Sequence, residues 1–265
     1  MHDATLPVRH VPLRQARCAL HDAGSGAPLL LLHGFPATRA LWHELAPGLL
    51  ALGYRVLIPD LIGYGESSAE PDVRIDMASQ ARWLLELLDQ LGLAQVVVIA
   101  HDVGSAAAQL LLASAPARLR ALVVLDGVYQ REWAMSAIDS IRAWDERDAA
   151  RLLPVLLRRL GKTPGLRAML NAYAGEAGGR ALIRAARDLD PEQTGQLDAK
   201  LAASSVPARV IWGEHDPFLP VASVAQPLAR LLRAELVLVP GGHFTPLDCP
   251  VEVLGALRDF LTGLP

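Results

Sequence analysis

Asp102, His243, Asp126 and Asp216 are the residues from which a reaction could be built. Asp102 stands in Val98-Ile99-Ala100-His101-Asp102-Val103-Gly104-Ser105, where an apolar run meets a tight turn and then a helical run opened by small residues. Ala100 and Gly104 leave room for a turn sharp enough to bring neighbouring backbone close. A side chain at the apex of such a turn is held out where it can attack, although an aspartate there could equally N-cap the helix that follows. A carboxylate of pKa near ~4 is ionised at neutral pH and can attack an sp³ carbon with no base to activate it. The product would be an alkyl ester of Asp102. His243, in Gly241-Gly242-His243-Phe244, would then activate water against that ester. An acid must orient it: Asp216 in Gly213-Glu214-His215-Asp216-Pro217-Phe218, or Asp126 in Val124-Leu125-Asp126-Gly127. The developing oxyanion would face the backbone N–H groups of Val103 and of Phe35 in His33-Gly34-Phe35-Pro36. Removing one such donor typically costs ~3–4 kcal/mol.

These residues need a scaffold, and the chain alternates short apolar runs with helical patterns. Pro28–Leu32, Arg55–Ile58, Gln95–Ala100, Ala121–Leu125, Ala208–Trp212 and Glu235–Val239 are continuous apolar runs of strand length, as a parallel sheet covered on both faces requires. Helices are expected over Ala40–Leu52, Asp76–Leu91, Val103–Ala113, Ser223–Leu232 and Val251–Leu261, with Asp76 as an N-cap, Gly92 as a stop and Pro116 closing the third. The alternation predicts an α/β fold built on a mostly parallel, doubly wound sheet. From Gly127 to about Ser205 it fails: an Ala/Leu/Arg-rich helical pattern is broken by Pro154, Gly161, Pro164 and Gly175–Gly179. The expected organisation is a core over 1–126 and 206–265 with a helical cap inserted over 127–205. Such a cap would lie above the carboxyl ends of the strands, where sheets of this kind bind ligands.

Together the motifs HGFP, GYGES (63–67), AHDVG, HDPF and GGH, in the order nucleophile, acid, histidine, resemble the α/β-hydrolase superfamily along nearly the whole chain. Asp102 sits at the serine position of the G-x-S-x-G elbow. More narrowly, the chain resembles the aspartate-nucleophile branch that contains epoxide hydrolases and haloalkane or haloacetate dehalogenases. In some members of that branch the acid follows the strand after the elbow, where Asp126 lies. The departures are informative. Haloalkane dehalogenases usually place Trp after the nucleophile and often Asn in the HGNP position, where this chain has Val103 and Phe35. Fluoroacetate-type enzymes carry arginines one and four residues after the nucleophile, and here those positions are Val103 and Ala106. The resemblance therefore implies an epoxide hydrolase acting on a small apolar substrate. The alternatives are a haloalkane or haloacid dehalogenase, an ester or lactone hydrolase, and a non-catalytic small-molecule binder.

An opened epoxide leaves an alkoxide that the resemblance expects cap tyrosines to protonate, which singles out Tyr129 and Tyr173; Tyr54 and Tyr64 fall in loops at the sheet edge. Trp133 is read as pocket wall. His33 and His101 are expected beside the substrate, fixing backbone at their turns, and His215 as a neighbour of the acid.

Composition bounds the rest. The 265 residues are 52% hydrophobic and 20% charged with net charge −3, which excludes disorder and leaves no basic footprint for nucleic acid. Of 25 basic residues only Lys162 and Lys200 are lysines, and none of the arginines falls at the elbow or the triad loops. Cys18 and Cys249 lack the company a disulfide framework or a zinc site needs. No apolar segment is long enough to span a bilayer, and Met1–His10 has no signal-type core. The expectation is a cytoplasmic enzyme, monomer or homodimer, that needs water as co-substrate, no cofactor, no metal and no membrane.

Overall fold

The computed structural model describes residues 6–145, 147, 148, 151, 152, 155, 169, 172, 173 and 175–264. Pro154, Gly161 and Pro164, read above as breaks in the helical pattern, lie outside the described residues. Among the described residues nine strands form one sheet in the order β1-β2-β4-β3-β6-β7-β8-β9, with β5 beside β2. The central members β3 (Pro28–Leu32), β4 (Arg55–Pro59), β6 (Val96–His101), β7 (Leu119–Leu125), β8 (Ala208–Gly213) and β9 (Glu235–Val239) run parallel. They are the expected apolar runs: β3 and β9 have the expected bounds, β6 is shifted by one residue, and β4, β7 and β8 are longer by one or two. β6 is buried along its whole length, as a strand covered on both faces must be.

Three strands carried no such signal. β1 (Val8–Leu13) and β2 (Ala16–Ala23) pair antiparallel, β2 joins β4 antiparallel, and β5 (Ser68–Ala69) is a two-residue addition to β2. β1 is exposed at four of its six positions, so its sequence has no apolar run to detect.

Helices α1 (Ala46–Ala51), α2 (Met77–Gln90) and α3 (Gly104–Ser114) connect the first parallel strands. Asp76 caps α2, accepting from Ser79 N at 2.8 Å, and Gly92 follows its end in the left-handed region at φ 66°. Two expected helices are divided. Ala40–Leu52 becomes a 3₁₀ turn at Arg39–Trp42 followed by α1, and Ser223–Leu232 becomes a π-turn at Val221–Ala225 followed by a helix over Gln226–Leu232. In both cases a proline, Pro47 or Pro227, occupies the first turn of the α-helix. It cannot donate to a preceding carbonyl, so the regular helix starts there instead of continuing from before.

Between β7 and β8 the described residues hold one isolated bridge, Tyr129 to Glu132, and helices only: α4 (Met135–Arg142), then Gly175–Asp188, a 3₁₀ turn at Pro191–Gln193, and Asp198–Ala202. This segment is tied to the sheet layer at both flanks. Ser105 Oγ accepts from Val128 N at 2.9 Å and Gln109 Nε2 donates to Val128 O at 2.8 Å, which fastens its start to α3. Asp188 accepts from Ile75 N at 2.7 Å, and Arg184 donates to the carbonyls of Glu70 and Val73, which fastens its later helix beside the start of α2. Among the described residues no helix is long and apolar enough to cross a membrane.

Candidate active site

The turn after β6 is tight because small residues allow it. A Cβ on Gly104 would overlap the His33 carbonyl, and one on Gly34 would overlap the Asp102 carboxylate. Asp102 itself lies at φ 51°, a left-handed conformation costing a non-glycine residue about 1–3 kcal/mol, and such strain collects at functional positions. The helix begins at Gly104 with no side-chain cap, so the capping role open to Asp102 is not the one it takes. Its carboxylate turns toward the loop after β3 instead. Oδ2 accepts from Phe35 N at 2.8 Å, and the Val103 N–H also bonds to the carboxylate. Burial raises the Asp102 pKa, and the charge of His243 and these two donors partly offset that rise.

His243 stands across from it, with Nε2 3.7 Å from Asp102 Oδ1 and Nδ1 2.9 Å from Asp216 Oδ2. Both carboxylate side chains are at most 9% exposed. Asp216 is held by its own loop, since Oδ1 accepts from Phe218 N at 2.8 Å and Leu219 N at 3.0 Å. The position after β8 thus supplies the carboxylate bonded to His243. Asp126, after β7, is fully buried and bonded elsewhere: Gly213 N donates to Oδ1 at 2.7 Å and Thr245 Oγ1 to Oδ2. Those two donors flank the loops that carry Asp216 and His243. Burial holds the Asp126 pKa well above the usual carboxylate range.

A cavity of about 60 Å³ opens between Asp102 and His243. Phe35, Pro36, Phe218 and Phe244 form its floor and sides, and Trp133, Ala134, Ile138 and Ile141 close it from the segment between β7 and β8. The loops that carry Asp216 and His243 contribute more than those two residues: the Phe after Asp216-Pro217 and the Phe after His243 both line the cavity. Their signal was adjacency within motifs already noticed. Ile138 and Ile141, three apart on α4, announce one helix face but not what it covers.

The remaining expected residues are placed as follows. Trp133 is 1% exposed, lines the cavity, and donates its indole N–H to Gln130 O at 3.0 Å and Thr194 Oγ1 at 2.9 Å. Tyr173 is buried, its hydroxyl 3.3 Å from Ala37 O. Tyr129 directs its hydroxyl to Asp198 Oδ2 at 3.3 Å, and neither tyrosine is among the residues lining the cavity. His33 bonds to backbone on both sides, accepting from Leu61 N at 2.9 Å and donating to Gly34 O at 2.8 Å. His101 bonds to His243 O at 2.7 Å, its ring 5.0 Å from that of His243. Both histidines are kept neutral by burial, and both work on the loops, outside the cavity lining. His215 is exposed beside the acid. Tyr64, expected in a sheet-edge loop, is instead 1% exposed and packs edge-on against His33 and Phe35. Cys18 and Cys249 are buried free thiols, and among the described residues no cluster of three His, Cys, Asp or Glu could hold a metal ion.

Comparison with known proteins places this geometry in a context. Residues 27–250 match the family described as alpha/beta hydrolase fold. Epoxide hydrolase 2 of Siraitia grosvenorii is 34% identical over 140 residues, covering 51% of this chain and 44% of that protein. A haloalkane dehalogenase of Mesorhizobium japonicum is 34% identical over 125 residues, 46% of this chain and 40% of its own. A solved structure from Pseudomonas aeruginosa, provisionally described as an epoxide hydrolase, superposes with a TM-score of 0.79 at 28% identity, covering 98% of this chain and 96% of that one.

Proposed function

The chain belongs to the α/β-hydrolase family and is a hydrolase; from that premise we propose that it opens small apolar epoxides through a covalent ester of Asp102, which a His243-activated water then hydrolyses. The observation that carries this reading is the occupancy of the two backbone donors. In a hydrolase that attacks a substrate's carbonyl, the Phe35 and Val103 N–H groups would have to stand open for the substrate's oxygen. Here they already bond to Asp102. They are therefore set to stabilise charge on the Asp102 carboxyl itself, as required when water attacks the Cγ of an aspartyl ester. Oδ1, the oxygen on the side where His243 stands, is the attacking atom. Asp216 orients His243 and supports its charge, the part an acid plays in a triad.

Two features favour an epoxide over a halide. Among the described residues the cavity presents no indole N–H to cradle a departing halide, because Trp133 spends its own on Gln130 and Thr194. The lining is otherwise hydrocarbon, which suits an uncharged substrate. In this reading the segment over 127–205 is the cap on the core formed by 1–126 and 206–265, water is the second substrate, and Trp133, Ile138 and Ile141 set the room available.

Turnover in oxygen-18 water tests the ester. If Asp102 is the nucleophile, the diol takes its new oxygen from the carboxylate and water refills it. The peptide carrying Asp102 gains the heavy isotope over repeated turnovers, read by peptide mass spectrometry. Label found in the diol and never in that peptide sinks the reading.

A further inference from the structure

Opening an epoxide breaks a carbon–oxygen bond, and the leaving oxygen must acquire a proton. Among the described residues lining the cavity only Asp102 and His243 have ionisable side chains. Asp102 is the nucleophile and holds two N–H groups as an acceptor. The hydroxyls of Tyr129 and Tyr173 are directed to Asp198 and to Ala37 O, and the Trp133 N–H to Gln130 and Thr194. His243 remains. Its Nδ1 faces Asp216, so the other nitrogen, Nε2, is the one presented to the cavity.

The charges around His243 come from every neighbouring loop: Asp102 after β6, Asp126 after β7, Asp216 after β8, and Asp248 on its own loop, with the neutral His101 ring beneath. Burial pushes the imidazole pKa down. The hydrogen bond and charge of Asp216, with the charges of Asp102 and Asp126, outweigh burial and bring it up to about 9. At neutral pH the resting ring is an imidazolium.

Building on the Asp102 ester of the proposed function, we infer that His243 is the acid of the first half-reaction as well as the base of the second. Asp102 Oδ1 forms a bond to the epoxide carbon, the carbon–oxygen bond breaks, and the released oxygen takes the proton from Nε2. The products are a neutral hydroxyalkyl ester and a neutral imidazole. Esterification removes the Asp102 charge, one of those that held the proton, so His243 becomes a base at the stage that needs one. Nε2 then takes a proton from water as that water attacks Cγ. The tetrahedral intermediate collapses, the diol leaves with a proton from the carboxyl, and the site returns to carboxylate and imidazolium. No second acid is consumed or required. The leaving atom this site serves is therefore a basic oxygen that must be protonated, not a halide.

The test compares leaving groups. In His243→Gln, ester formation with propylene oxide, followed by intact mass, is expected to slow on the order of 10²–10⁴-fold, the usual worth of a positioned acid. Ester formation with bromoethane, whose bromide needs no proton, is expected to slow far less than ester formation with propylene oxide, by no more than loss of the His243 charge beside Asp102 accounts for. Equal ester formation from the epoxide in variant and parent overturns the inference while leaving the Asp102 ester intact. If neither reagent marks Asp102 and oxygen-18 never enters its peptide, the underlying reading fails instead. A second readout needs no variant: the epoxide burst of the parent enzyme falls about tenfold per pH unit above about 9, while the bromoethane burst falls far less. A level epoxide profile also overturns it.

Discussion

Two recesses flank the α4 segment, and they differ in almost every respect. On one side Ile138 and Ile141 close a cavity of about 60 Å³ in which, among the described residues, Asp102 and His243 carry the ionisable groups. On the other, Trp144 and Asp145 border a groove of about 810 Å³ lined by Arg74, Arg147, Arg180, Arg184 and Arg187. The groove holds more volume and more charge. Its arginines, however, are interleaved with Asp72, Asp145, Glu176 and Asp188, and three have local partners: Arg184 on two backbone carbonyls, Arg74 3.3 Å from Asp76 and Arg180 3.9 Å from Glu176. Exposed pairs of this kind exchange water for protein at little gain. In the cavity, by contrast, Asp102 and His243 converge with Asp216 behind them, all with side chains at most 9% exposed, and each acts at lower dielectric on the others. Chemistry follows convergence and burial, not volume.

Removing Asp102, the proposed nucleophile, is the harshest way to break this contrast. Asp102→Ala is expected to lower epoxide turnover by on the order of 10⁴-fold or more, as loss of a covalent nucleophile does in a triad, with little change in thermal stability. Residual turnover within tenfold of the parent in a steady-state diol assay would move attention from the cavity to the groove.

The two acids sharpen the comparison inside the cavity. Asp216→Asn removes the charge bonded to Nδ1 and is expected to lower kcat by about 10³–10⁴-fold. Asp126→Asn keeps an acceptor for Gly213 N–H and a polar partner for Thr245. It is expected to cost far less, about tenfold at most. Its clearer effect is on stability. Because burial raises the native Asp126 pKa, the folded chain holds a proton that the unfolded chain releases near pH ~4, so this group's contribution is lost as pH rises from there toward the native value. Asp126→Asn removes that slope, and unfolding midpoints against pH would show it. An unchanged slope contradicts the assignment.

These residues also show what a sequence can and cannot disclose. The strands that aim the site were legible because a doubly covered parallel strand must be apolar throughout, as β6 is. β1 was not, because it is the edge strand and is exposed at four of its six positions, and β2 inside it is buried only at Cys18, Ala19 and Leu20, too short a run to read as a strand. Asp102, His243 and both acids could be picked out by motif and order. Which acid meets His243 could not, since that depends on where two loops from different strands converge. The tyrosines fared worst. Tyr129 stands directly after the strand that launches the segment, yet a neighbouring Asp198 claims its hydroxyl, and Tyr64 reaches the site only because its loop folds inward. Side-chain direction in irregular segments is set by partners far along the chain.

The shared wall offers a gentler perturbation. Ile141→Ala removes a side chain that is 2% exposed and is expected to destabilise the fold by about 2–5 kcal/mol. It also enlarges the cavity, so relative kcat/KM should shift toward longer terminal epoxides by about tenfold per added methylene accommodated. Chemical denaturation and a chain-length series read the two effects separately. Loss of stability with no change in preference would mean that Ile141 packs the segment without bounding the substrate.

The smallest effect tests the groove. Arg187 lies on the exposed side of the helix Gly175–Asp188 and lines the groove, and Asp188 next to it faces inward to hold Ile75 N at 2.7 Å. Adjacent residues on a helix point about 100° apart, so one can serve solvent while the other fixes the segment over the sheet. If the groove is solvated surface, Arg187→Ser leaves kcat and KM for neutral epoxides unchanged and moves stability by no more than about 0.5 kcal/mol. Its charge is too exposed and too far screened to reach the His243 proton, so the pH profile of the epoxide burst should also stay in place. A shift in that profile would mean that the two recesses are electrostatically coupled through α4, and the cavity could no longer be treated as a closed set of charges.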